Sequence, residues 1–431
     1  MVHILVTGAT GLIGSAVTAR LLALGHQVTG VARGVGEAAR RMPQVRWRAV
    51  DIARTRTAAG WAPALAGVDA VVNCAGALQH GGGDDLEGVH TSGIDALYAA
   101  AEQAGIRRVI HISAMGVDRA TPTAFSRTKL AGEQALMARD LDWVILRPSV
   151  VIGPAAYGGS AMFRGLAALP ILPVMPDTGP LQVVQLDDVV ATVVHVLAPD
   201  VPGRVALDLA GPTRHSFAEV VNLHRRWLGF PDARTLTFSR PVAALLYRLG
   251  DFAGWLGWRP PLRSTARVEI GRGAVGDPAP WITATGILPT ALPDALAAHP
   301  ASVQERWFAG LYILKPVLFT VFALFWIGTG IVSIGPGYGI GRDLMLLGGA
   351  GALAGPSVIA GGLADLLIGI GIAFRRTTRL ALYAAIAISV FYAIAGTTIL
   401  PALWIEPLGP MLKIWPILGL NLVLLAILED R

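Results

Sequence analysis

Three glycines stand in Thr7-Gly8-Ala9-Thr10-Gly11-Leu12-Ile13-Gly14, directly behind the apolar run Ile4-Leu5-Val6. Glycine permits a tight turn and close backbone approach, and the free N–H groups of a following helix attract an anion. Between a strand and a helix, this spacing makes a floor for a pyrophosphate, although a Gly-rich turn by itself is ordinary loop chemistry. Residues 27–33 read as a second strand ending at Arg33. An acid there would grip the adenosine ribose hydroxyls, whereas an arginine accommodates a 2′-phosphate, so Arg33 favours NADP(H) over NAD(H). Asp51, with Ile52 beside it, ends a third strand over 45–50 and can accept from an adenine amino group. Asn73-Cys74-Ala75-Gly76 follows a fourth strand over 69–72, where Ala75 and Gly76 let the chain pass close to a cofactor. Asn73 and Gly76 equally suit a plain turn.

These residues need a sheet to hold them. The ends named above fall on the carboxyl edge of a doubly wound parallel sheet, the edge that lines a ligand crevice. The spacing predicts a first helix over 12–24, a turn at Gly81-Gly82-Gly83-Asp84-Asp85, and a helix over 90–104 with Ile94, Leu97, Tyr98 and Ala101 on one face. A fifth strand, 108–112, delivers Ser113-Ala114-Met115-Gly116 to the same edge. A helix beginning near Phe125 puts Phe125 and Lys129 one turn apart, and a strand over 143–146 runs into Arg147-Pro148.

The ordered set TGATGLIG, VVNCAG, HISAMG, FSRTK and ILRPSVVIGP is similar to extended and atypical short-chain dehydrogenase/reductases over about residues 1–300. It resembles most the atypical branch that includes the NAD(P)H-binding accessory subunit of respiratory complex I. The resemblance implies a Rossmann sheet with a substrate lobe within 155–300 and cofactor contacts from Thr7, Gly8, Thr10, Gly11, Leu12, Ile13, Gly14, Arg33, Asp51, Ile52, Cys74, Ala75, Gly76, Ser113, Lys129 and Pro148. It implies catalytic roles for Ser113, which polarises the substrate, and for Lys129. The family's proton-donating tyrosine has no counterpart, because Phe125 stands in its place. General acid catalysis is worth about 10²–10⁴ in rate, so Lys129 either only orients the nicotinamide ribose or supplies the proton itself. Asp187 or Asp188 is expected to cap the helix after 183–186, and Tyr157, Met162 and Phe163 to pack the lobe or wall a pocket.

The 431 residues contain 53% hydrophobic types and average a mean hydropathy of +0.56, but two different solvents contribute to that average. Charges are frequent to about Trp307, and from Leu311 long uncharged runs take over. Four segments, 312–333, 352–374, 380–401 and 408–428, have the length a spanning helix requires. Residues 307–431 therefore read as a four-span, all-α membrane domain, and their layout resembles DoxX-like membrane domains. Arg306, Lys315, Arg375, Arg376, Arg379 and Arg431 lie at one end of the spans against Arg342 and Lys413 at the other, which marks the first end as cytoplasmic. No signal-peptide pattern opens the chain, consistent with a cytoplasmic Rossmann domain. The net charge of +6 is scattered rather than striped, which argues against a nucleic-acid partner, and the single cysteine excludes an internal disulfide. Residues 241–258, with Leu245, Leu246, Leu249, Phe252, Trp255, Leu256 and Trp258, suit either the core or a membrane surface. Asp365, deep in the second span, suits either proton or quinone chemistry or an interhelical hydrogen bond.

The reading that unites these features is a membrane-anchored NAD(P)H-binding oxidoreductase with a lipophilic substrate, quinone or isoprenoid-like. Its partners are the dinucleotide, membrane lipid and a membrane-protein partner. The missing tyrosine keeps open a non-catalytic NAD(P)H-binding scaffold or redox sensor, and extended members bring in a nucleotide-sugar epimerase or dehydratase.

Overall fold

The computed structural model describes residues 1–79 and 85–429. Residues 81–84 of the glycine turn signal, and Arg431 of the basic end, lie outside the described residues. The strands are β1 (His3–Thr7), β2 (Gln27–Ala32), β3 (Arg46–Ala49), β4 (Ala70–Asn73), β5 (Arg108–Ile112), β6 (Asp142–Pro148), β7 (Val151–Ile152), β8 (Ile171–Val174), β9 (Val184–Gln185), β10 (Val205–Leu209) and β11 (Arg234–Thr237). Seven of them make one sheet in the order β10-β6-β5-β4-β1-β2-β3, every pairing parallel. The chain winds outward from β1 to β3 and then crosses back to β4. The switch point between β1 and β4 is where such a sheet opens a ligand crevice.

Helices cover both faces, which is why the central strands read as unbroken apolar runs rather than alternating ones. All five residues of β1 are buried. The helices of this part are α1 (Leu12–Ala23), α2 (Gly36–Arg41), α3 (Ala58–Leu65), α4 (Gly93–Gln103), α5 (Ala124–Met137), α6 (Gly158–Ala167), α7 (Leu186–Val196), α8 (Phe217–Trp227), α9 (Arg240–Trp255), α10 (Ser264–Arg272), α11 (Ala279–Thr285) and α12 (Leu292–Ala298). On one face Val17 and Leu21 of α1 meet Val189 and Val193 of α7 around Trp281. On the other, Trp61 of α3 packs with Ile94, Leu97 and Tyr98 of α4 and Leu136 of α5.

Three local expectations need correction. The helix expected over 90–104 opens with a π turn, Gly88–Ser92, before α4 begins at Gly93. A Cβ on Gly93 would stand 2.0 Å from the Ile52 carbonyl, so glycine is what lets the helix start this close to the chain leaving β3. Asn73 is the last residue of β4 rather than part of a turn. The N-cap of α7 is Gln185, and Asp188 instead accepts from the amide and the hydroxyl of Thr290, at 2.8 and 3.0 Å. Phe163 packs against Phe217 and His224, so it serves the core of the lobe.

The chain divides into two compact units, one of Met1–Phe252 with Arg259–Ala309, the other of Ala253–Trp258 with the chain from Gly310 onward. The second unit holds most of α13 (Val303–Ile334), together with α14 (Tyr338–Leu347), α15 (Ala354–Ala373), α16 (Thr378–Ile399) and α17 (Ile414–Ala426). Among the described residues three helices are long and apolar enough to cross a membrane: Val303–Ile334, Gly351–Ala373 and Thr378–Ile399. The fourth expected span is a helix of only 13 residues, about 20 Å long, because Pro407, Gly409 and Pro410 turn the chain before it. Within this unit Asp365 accepts from the Tyr392 hydroxyl at 3.1 Å, an interhelical hydrogen bond.

Candidate dinucleotide-binding site

The turn from β1 into α1 is built so that only glycine fits. Gly8 has a φ of +62°, and a Cβ on it would stand 2.8 Å from the Cys74 carbonyl oxygen. A Cβ on Gly14 would lie 2.2 Å from the Gly8 carbonyl oxygen. The turn is thereby pressed against the chain leaving β4. Gly11 is the N-cap of α1 and no side chain caps the helix, so its first-turn N–H groups and dipole remain for an anion. Thr10 is exposed beside this turn, while Leu12 and Ile13 are half-buried against the sheet core. These features fit a pyrophosphate.

The next part of the site rests on a buried polar hub. The Thr7 hydroxyl donates to Asn73 Oδ1 at 2.5 Å, and the amide of Ala75 donates to the same oxygen at 3.2 Å. Asn73 Nδ2 reaches the Tyr98 hydroxyl at 3.0 Å and His111 Nδ1 at 2.9 Å. Burial pushes His111 well below its usual range and Tyr98 above it, so the hub is uncharged. It fixes the course of Cys74-Ala75-Gly76 past Gly8. Burial also raises the Cys74 thiol to about 12, which leaves it protonated.

Lys129 lies on the buried face of α5. Its ammonium donates to the Ile112 carbonyl at 2.9 Å and, more weakly, to the Ala75 carbonyl at 3.4 Å, joining the ends of β5 and β4. A Cβ on Gly76 would be 3.2 Å from Nζ, so the glycine leaves room for it. Burial lowers the lysine to about 8, with Glu133 and then Cys74 acting in the opposite direction. Ser113 follows Ile112 directly, and its buried hydroxyl has no hydrogen-bond partner among the described residues. An unpaired buried hydroxyl is costly unless a ligand meets it.

Phe125 sits one turn before Lys129, with its ring edge-on to His90 at 5.8 Å. His90, on the π turn, accepts from the Ala77 amide at Nε2 (3.0 Å) and pairs through Nδ1 with the Thr128 hydroxyl at 2.9 Å. An accepting Nε2 in a neutral ring puts the proton on Nδ1. Sequence spacing singles out neither His90 as part of the site nor the linkage of Asn73 to Tyr98 and His111. The π turn leaves no trace in hydrophobic spacing, and the hub's members are up to 38 positions apart.

Gly8, Gly14, Cys74, Ala75, Gly76, Ser113 and Lys129 thus come together at the carboxyl ends of β1, β4 and β5. Arg33 and Asp51 lie farther out on the same edge, after β2 and β3. Arg33 is exposed; Asp51 accepts from the Ala53 amide at 3.2 Å and faces Arg54 at 3.4 Å. Ile52 is buried in the core beneath Asp51. Pro148 is buried at the end of β6 and its carbonyl takes the Met115 amide at 3.0 Å.

A parallel doubly wound sheet with a Gly-lined turn at its switch point defines a nicotinamide-dinucleotide-binding protein of Rossmann type. An NAD(P)H-binding family model matches residues 8–165, and a DoxX-like family model matches 323–422. The 3-diazoavenalumate denitrifying reductase of a Streptomyces species is 30% identical over 319 residues, covering 67% of this chain and 96% of that protein. The chain belongs to this NAD(P)H-binding reductase family, of atypical short-chain dehydrogenase/reductase type, joined to a DoxX-like membrane domain. Ceramide reductase of Caulobacter vibrioides is 25% identical over 185 residues, which is 41% of this chain and 58% of that protein. The chain thus spans little more than half the length of that relative. The solved structure of MoeE5 in complex with UDP-glucose and NAD has a TM-score of 0.54 at 20% identity, covering 72% of this chain and 99% of that one, a likeness of fold.

Proposed function

We propose that this protein is a membrane-anchored reductase that uses NADPH to reduce a lipophilic carbonyl or quinone-like compound. The observation that carries the reading is the pairing of Ser113, buried with an unmet hydroxyl, and Lys129, held between the ends of β4 and β5 beside the glycine turn. The dihydronicotinamide, when bound, supplies hydride. Ser113 donates its hydroxyl hydrogen bond to the substrate oxygen, and Lys129 gives that oxygen a proton in place of the absent phenol. A lysine lowered to about 8 is still protonated near neutrality yet acidic enough to let the proton go. Arg33 supports a preference for the 2′-phosphorylated cofactor. The lipid substrate in the name of ceramide reductase, and the long apolar helices of this chain, support a lipophilic substrate. The basic end of the spans supports a cytoplasmic Rossmann unit, and the exposed apolar helices leave room for lipid or a membrane-protein partner.

Phe125 favours one other reading, a scaffold that binds the dinucleotide without turning it over. The test is oxidation of NADPH and NADH by the purified chain in lipid nanodiscs, with long-chain ketones, aldehydes and quinones. The expected result is turnover that prefers NADPH and falls about 10²–10⁴-fold in Lys129→Met while cofactor still binds. Tight cofactor binding with no turnover for any compound selects the scaffold.

A further inference from the structure

We propose that α9 is an interfacial helix whose apolar stripe lies in the headgroup and acyl-chain boundary of a phospholipid bilayer. At about 100° per residue, Val242, Leu245, Leu249, Phe252 and Trp255 share one side of α9, with Ala243, Tyr247, Gly250 and Gly254 opposite. The opposite side is buried. The stripe is exposed, to 57% at Leu245, 57% at Phe252 and 71% at Trp255. Five large apolar side chains at this spacing are not scattered surface residues but a continuous face, and a face of this kind marks a lipid or protein surface.

Two further observations choose lipid. The first is charge. Arg248 is the charged residue on the exposed arc, and a guanidinium there can reach up to a phosphate while its stem stays among apolar groups. The acid of the helix, Asp251, lies off the arc and is held by Arg263 and Ser264. A phosphate-bearing surface complements that sign. The second is continuity. The last turn of α9 and the residues after it, Ala253–Trp258, belong to the membrane unit. There the Trp258 indole N–H donates to the Ala373 carbonyl at 2.8 Å, its ring lies 4.9 Å from Phe319, and the Arg375 amide donates to the Leu256 carbonyl at 3.0 Å. Ala373 is the last residue of α15, and Arg375, Arg376 and Arg379 follow. The chain leaving α9 is therefore tied to the basic ends of spanning helices, the depth at which tryptophan and arginine meet headgroups. This inference needs only the membrane-length helices and is independent of the reaction.

The experiment uses the full chain in nanodiscs of phosphatidylcholine and phosphatidylglycerol, with a nitroxide attached at Leu249→Cys and, separately, at Asp232→Cys on the polar surface. The protonated Cys74 thiol serves as the unlabelled background, checked with the unsubstituted chain. Collisions with oxygen, which concentrates in lipid, and with a water-soluble nickel chelate report depth. The expected result is a label at 249 that oxygen reaches and nickel does not, a label at 232 with the reverse pattern, and a shift of the 249 label toward water in Arg248→Glu. A 249 label as open to nickel as the 232 label overturns the proposal. So does one screened from both reagents, which would mean that protein covers the stripe.

Discussion

A phenyl ring at position 125 and an ammonium one turn later divide a task that a phenol and an ammonium normally share. Phe125 fills space against His90 and has no proton to give. Lys129 has one, and the low-dielectric surroundings that bring it to about 8 act against its charge, not for it. The sign of the pH dependence follows. The donor is loaded below about 8 and empty above it, so kcat/KM for carbonyl reduction should be flat toward acid and fall about tenfold per pH unit on the alkaline side of pH 8. Lys129→Arg keeps the positive charge but gives up no proton in this range, so its profile should be uniformly low with no limb near pH 8. A wild-type profile flat through about pH 10 would remove the lysine from the proton transfer.

At the scale of elements, the site is only as precise as the ends of β4 and β5, and Asn73 sets the first of these. Asn73→Ala would strip the partner from the Thr7 hydroxyl and from the Ala75 amide, and leave the Tyr98 hydroxyl and His111 Nδ1 with each other at 2.9 Å. A buried polar group left alone costs about 1–3 kcal/mol, and relaxation recovers part of the sum. A loss of about 2–4 kcal/mol is expected, read as a fall of several degrees in the melting of the Rossmann unit, together with weaker cofactor binding; an unchanged melt would mean that water replaces the amide. The strands holding this hub were legible in the sequence because buried parallel strands are apolar throughout and stop at turn residues. The glycine turn was legible too, since its backbone demands exclude other residues at Gly8 and Gly14. What escaped was long-range. Asp188 finds Thr290 across 102 positions, and Gly93, just after the π turn, runs up against the Ile52 carbonyl, which no local pattern records.

For the molecule as a whole, two solvents impose two packing rules. The Rossmann unit buries large side chains such as Trp61 and Trp281, and the membrane unit buries Phe322 and Trp326 but also brings backbones together. A Cβ on Gly369 of α15 would lie 2.7 Å from the Ile327 amide nitrogen and 2.8 Å from the Ala323 carbonyl oxygen of α13. Small residues serve this close approach where lipid offers no hydrophobic drive for association. Gly369→Leu should push α13 and α15 apart and cost about 1–3 kcal/mol or more, seen as earlier loss of the monodisperse peak on heating in detergent. Gly419→Leu, at a position with nothing within 4 Å, should leave that peak unchanged, and equal loss in both variants would refute the packing argument. The short α17 has the same origin as the gap in the sequence reading: hydropathy counts apolar residues, but Pro407 and Pro410 decide where a helix can begin.

The lysine between β4 and β5 also has a consequence for chemical modification. The chain carries only three lysines, Lys129, Lys315 and Lys413, and the first is the sole side-chain amine before residue 315. Reagents that acylate or form imines attack the neutral amine, and burial lowers Lys129, inside the crevice, to about 8. Lysine labelling of this unit, which in most proteins is spread over a crowd of surface lysines, here reads one thing: whether the crevice is filled.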